Sequence, residues 1–270
     1  MSRYSHSQRM NLGTIFNFRD LDKNVQVHLK NVYSTLSVGL ILSCVGAYLF
    51  QINSFLQSIT TSLMVLSFIL SLGSSLFIYF TQHSRETLHS RLGAFFLFCF
   101  STGIGFGPLL QALSIISPDT IPTALLGTAL IFVSFTLAAL FTRKRYYIYL
   151  GAALMSAISL LTTFSFMNLF IRSPAIYTAE LYIGLAIFCA FVVFDTQLIV
   201  EKRRNGDTDF VWHTLDLFID FVEIFRHLLI ILNSKRIKEK RWSSFLDRST
   251  ITCFALLINN NNTLYWYYFT

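Results

Sequence analysis

The sequence predicts an all-α integral membrane protein in which six transmembrane helices surround a central seventh. Of its 270 residues, 54% are hydrophobic and 13% charged, whereas soluble domains carry about 25% charged residues. No Asp, Glu, Lys or Arg occurs from 31 to 84, from 92 to 118, from 120 to 142 or from 146 to 171, and these lengths fit spans of about 20 residues with their turns. Four acids of the C-terminal half stand inside apolar sequence: Asp195 near the end of one hydrophobic run, and Asp216, Asp220 and Glu223 within another. An ionised Asp at the centre of a membrane helix costs about 2.5 to 3.5 kcal/mol on insertion scales, so such a residue faces a bundle interior or a watery cavity and marks a function.

Residues 1–32 read as a polar, mildly basic cytosolic arm. Its apolar scatter at Ile15, Phe16, Phe18, Leu21 and Val25 fits either a short interfacial helix or a loosely ordered tail. No cleavable signal is identifiable, which leaves the first span as its own insertion signal. The membrane domain covers 33–232, with spans at about 33–51, 60–80, 92–114, 121–142, 146–169 and 179–200. The loops carrying Arg85 and Arg91, then Arg143, Lys144 and Arg145, then Lys202, Arg203 and Arg204 alternate with loops carrying only Asp119 and Arg172. Positive charge stays on the cytosolic side, so this alternation places the N-terminus in the cytosol. It also explains the net charge of +7 without nucleic acid, because the basic residues cluster at span ends and not on one soluble face.

Cys44, Cys99 and Cys189 fall inside apolar runs and Cys253 in the tail, with no CxxC pair; free buried thiols are expected, and neither zinc nor a disulfide framework. Gly103, Gly105, Gly107 and Pro108 in the third span lack the Lys and the preceding strand of a phosphate loop. Such glycines allow close helix approach, and the proline frees a carbonyl. Gly105 is expected at a tight contact and Phe98 on the lipid side.

The seventh run, from near Trp212 to near Leu232, differs from the others. At 100° per residue Asp216, Asp220, Glu223 and His227 share one stripe, with Leu217 on the other face. Surface helices favour Lys and Arg on their polar side, and this stripe is mainly acidic, so burial within the bundle is preferred over the membrane surface. A full crossing would put the basic run Lys235 to Arg241 on the wrong side. The helix therefore either re-enters on the cytosolic side or spans against the charge rule. Residues 233–270 form a basic, then hydrophobic tail, expected on the cytosolic side.

Two carboxylates forced together where water is scarce cannot both ionise cheaply, and they titrate as one unit. Sharing a proton, they hold a hydrogen bond; ionised, they repel and offer hard oxygens suited to calcium. His213 and His227 either add to pH sensing or are satisfied polar groups at helix ends.

Lined up in order, the runs Val27-His-Leu-Lys-Asn-Val-Tyr33, Arg91-Leu-Gly93, Thr102 to Pro108, Gly127 to Phe132 with Phe135-Thr136, Phe194-Asp-Thr-Gln-Leu-Ile199, and Trp212-His213 with Asp216 to Phe221 resemble the Bax inhibitor 1 family over roughly residues 15–235. The resemblance implies a calcium leak or exchange pathway of the endoplasmic reticulum membrane that suppresses cell death, with Asp195 and Asp220 as a proton-sharing latch and Asp216 as a further acid. Glu223, His213, His227 and Arg91 stand as supporting residues. It implies calcium and protons as partners besides the lipid bilayer, contact with apoptotic-regulator and reticulum membrane proteins, no cofactor beyond the ion itself, and no enzyme activity. Members end in a short Lys-rich tail, whereas here the basic run precedes a further hydrophobic stretch. An intramembrane aspartyl protease fits poorly, because Asp220 follows Leu-Phe-Ile where that chemistry uses Gly-x-Gly. A non-conducting membrane scaffold remains the competing reading.

Overall fold

The computed structural model describes residues 22–141 and 147–258, with side chains through Ser234 apart from 142–149. Seven long helices account for nearly all of it: α1 (Lys23–Ile52), α2 (Thr60–Phe80), α3 (Leu88–Ile116), α4 (Thr120–Phe141), α5 (Tyr147–Ile171), α6 (Pro174–Arg204) and α7 (Phe210–Ile258). A single turn, Ser54–Ser58, links the first two. The first six are long and apolar enough to cross a membrane. The chain is thus an all-α integral membrane protein, as expected from its composition.

Most of the expected spans lie within these helices, but the ends differ. α1 starts at Lys23, about ten residues upstream of the apolar run, because Val25, His28, Leu29 and Val32 already form a buried stripe. The stretch from Ile15 to Leu21 lies outside the described residues. Hydroxyls inside the spans turn back on their own helices: Ser37, Thr128, Ser134, Ser156 and Thr162 each donate to the carbonyl four residues earlier, which satisfies them where lipid offers no partner.

α1 and α3 approach most closely, and glycines on both sides permit it. A Cβ at Gly103 would collide with the Ser43 backbone, one at Gly46 with the Phe100 carbonyl, and one at Gly107 with the Phe50 ring. Gly105 keeps the expected close contact, and the correction is one of degree: a Cβ there would meet the Ser67 side chain of α2, its hydroxyl at 3.2 Å and its Cβ at 3.9 Å. Phe98 is a second correction, since it is buried and sets its ring edge-on to Phe218 with centroids 5.7 Å apart. Pro108 lies inside α3 without ending it.

α7 occupies the middle. It packs against α1, α2, α3, α4 and α6, while α5 leans on α6. Its Leu215, Leu217, Phe218, Phe221 and Ile224 belong to the larger core with Phe95, Phe98, Phe132 and Val192. Leu217 is therefore fully buried, not on an idle face, and Ile219 is the exposed neighbour at 40%. Farther along, Leu229 joins Ala47, Leu110, Leu113 and Ala124, residues at the opposite end of the bundle from Phe210. A re-entrant path needs a reversal, and α7 contains none over its 49 residues.

Candidate functional site

Asp195 lies nine residues before the end of α6, and Asp220 ten residues into α7. The intervening turn is short, so the two helices run antiparallel and bring both carboxyls to one depth. At about 1.5 Å per residue that depth is roughly 14 Å from the end carrying the basic loops. The two carboxyls meet side chain to side chain. Asp220 is 4% exposed, and its Oδ2 has no hydrogen-bond partner. A buried acid oxygen without a donor is costly unless a proton, water or ion reaches it.

Asp216 sits one turn earlier on α7, half-buried; it feels the charge of Asp195 and acts by its own charge on Asp220. The Lys202 ammonium, from the last turn of α6, acts by charge on both Asp195 and Asp216. The structure therefore gathers Asp195, Asp220 and Asp216 into one group.

The rest of the expected stripe divides. Glu223 acts on Asp220 only through its charge; its carboxylate accepts two bonds from Arg226, at 2.6 and 2.8 Å. His227 is a packed core histidine. Its Nδ1 lies 2.7 Å from the Glu223 carbonyl, and its ring fits against α6 where Gly184 leaves room.

A second polar group lies at the basic-loop end. Arg91, only 2% exposed, donates to Asp209 Oδ2 at 2.6 Å and to the Ile78 carbonyl at 3.2 Å. Asp209 also caps α7, accepting the Trp212 N–H at 3.1 Å, and His83 Nδ1 stands 3.6 Å from it. His213 faces neither Asp195 nor Asp220 but the ring of His28 from α1, nitrogen to nitrogen at 3.0 Å. Sequence reasoning missed Asp209, His28, His83 and Arg226 as partners. The capping position of Asp209 before an apolar run was the available signal for one of them. A further convergence, Tyr33 with Thr136 and Thr196, joins α1, α4 and α6 beside Asp195.

Among the described residues no three His, Cys, Asp or Glu side chains converge as a metal cage. Calcium in a resident site takes six to eight oxygens, more than two facing carboxyls supply.

This architecture, a bundle of long apolar helices with two carboxyls facing each other between the last two, defines a polytopic integral membrane protein. Residues 25–237 match the family model described as inhibitor of apoptosis-promoting Bax1. The chain is 44% identical over 236 residues to Bax inhibitor 1 of Bos taurus and 41% identical to that of Homo sapiens, each match covering 87% of this chain and 98% of the relative. It is 37% identical over 227 residues to Bax inhibitor 1 of Arabidopsis thaliana, covering 84% and 88%. The chain belongs to the Bax inhibitor 1 family.

Proposed function

We propose that this protein suppresses programmed cell death from the endoplasmic reticulum membrane by passing calcium under proton control, with Asp195 and Asp220 as the gate. The family description, inhibitor of apoptosis-promoting Bax1, supports suppression of cell death. The observation that carries the gate is the meeting of two carboxyls from α6 and α7, with Asp220 Oδ2 buried and unpartnered. With a shared proton, the pair holds α6 against α7. Without it, two like charges in a poorly solvated site repel and attract a divalent cation, so proton loss both loosens the contact and recruits cargo. Asp216 and Lys202 lie between the pair and the basic-loop end, and supply a polar route there.

Purified protein in liposomes tests this reading. Calcium flux is expected to change with pH, and Asp195→Asn and Asp220→Asn are each expected to change the rate and flatten that dependence. Retention of the parent's rate and pH profile by both variants refutes the gate. Absence of any flux from the purified protein supports the scaffold reading instead. That reading draws on α5, whose span is only 6% buried and leaves a long face for another membrane protein.

A further inference from the structure

We propose that His28 and His213 form a proton-counting clasp between α1 and α7 at the basic-loop end, which holds with up to one extra proton and is released by the second. This contact is separate from the carboxylate pair. His28 Nε2 faces His213 Nδ1 at 3.0 Å, with the rings edge to face and their centroids 5.2 Å apart. Both rings are buried, at 5% and 1% exposed, so water does not replace the bond if it breaks.

The chemistry follows from counting hydrogens. Two neutral imidazoles carry one N–H each, so a facing N–H donates to a bare facing nitrogen. One added proton leaves that bond intact and strengthens it by charge. Its place is His213 Nε2, which is buried without a hydrogen-bond partner and stands 3.7 Å from Asp207 Oδ2. A second proton puts N–H groups on both facing nitrogens and two cations side by side. No hydrogen bond is then possible.

The surrounding charges come from each neighbouring element. Burial works most strongly against a charge on either ring; among the charges, Asp207 and Asp209 of the α6–α7 turn favour the added protons, and Lys202 and Arg203 of α6 and His83 of the α2–α3 turn oppose them. Two weaker ties also hold α1 at this end: Thr214 Oγ1 donates to the Val32 carbonyl and Arg203 Nε to the Asn24 carbonyl, each at 3.4 Å. Release of the clasp therefore loosens the start of α1 from α7 without unfolding the bundle.

The test uses thermal unfolding of the full chain in detergent, in an Asp195→Asn/Asp220→Asn background, at about pH 7.5 and about pH 5. His28→Gln and His213→Gln, alone and together, are compared with the background. The background is expected to lose roughly 3 °C more on acidification than either histidine variant, and the two substitutions are expected not to add. The same acid shift in background and variants overturns the clasp. So does an equal effect of His89→Gln, which alters an exposed histidine. No flux is measured and the carboxylate pair is already gone, so failure here is distinct from failure of the calcium reading. Should the Gln variants not fold, ¹⁵N-histidine NMR of the unsubstituted chain decides: two linked titration steps support the clasp, and independent single steps for both rings refute it.

Discussion

Among the acids of α7 whose side chains are described, Asp220 alone has a buried oxygen with no donor, and this singles it out as the one most sensitive to loss of its proton. Asp220→Asn replaces that oxygen by an amide locked in one state, so calcium flux in liposomes should lose its pH dependence. Ile219→Val, on the exposed side of the same turn, should leave rate and pH profile unchanged. Arg91 presents a different case. Arg91→Ala strands Asp209, whose side chain is 20% exposed, so the expected loss is about 2 kcal/mol, below the 3 to 5 of a wholly buried pair. Thermal unfolding in detergent measures it. Arg91→Lys should recover only part, because the shorter lysine side chain does not carry its ammonium as far as Nη2, the single nitrogen that donates to both Asp209 and the Ile78 carbonyl.

At the scale of elements, the α1–α3 contact is set by which glycine faces the neighbour. Gly103→Leu forces a side chain into the Ser43 backbone and should cost about 3 kcal/mol or prevent folding. Gly105→Ala, beside one flexible hydroxyl, should cost under about 1 kcal/mol. Equal melting temperatures for the two variants would falsify this packing. Here the limits of sequence reading are plain. The run from Gly103 to Pro108 announced close packing, yet three glycines spaced two apart do not say which one meets the neighbouring helix. The carboxylate group was more legible, because Asp195, Asp216 and Asp220 interrupt apolar runs and lipid tolerates such interruptions only where helices cover them. The pairings of His28 with His213 and of Arg91 with Asp209 join residues 185 and 118 positions apart. No local period encodes a contact of that kind.

For the whole molecule, the charge-free stretches announced six spans, but the course of the last helix was hidden by two opposing signals. The basic run after Leu232 argued for return to the cytosol. The buried face of α7 extends from Val211 to Ile231, and that burial draws the helix through to the other end. Packing against five neighbours decides the path, which charge counting along the chain does not weigh. A consequence is measurable: Asn261-Asn-Thr263, beyond the described residues, is the single glycan acceptor in the sequence. If α7 delivers the tail across the membrane, expression in microsomes should give a glycosidase-sensitive mass shift that Asn261→Gln abolishes. An unglycosylated chain with a protease-accessible tail on the cytosolic face refutes the crossing.

The interlocked glycines of α1 and α3 also divide the molecule mechanically. With Gly46 against Phe100 and Gly103 against Ser43, neither helix can slide or roll on the other without backbone collision, so together they act as a stator. The carboxyl pair belongs to α6 and α7, outside that fixed frame. On the proposed reading, a movement that parts Asp195 from Asp220 is a displacement of α6 or α7 against the interlocked middle of α1 and α3, in the C-terminal half of the chain.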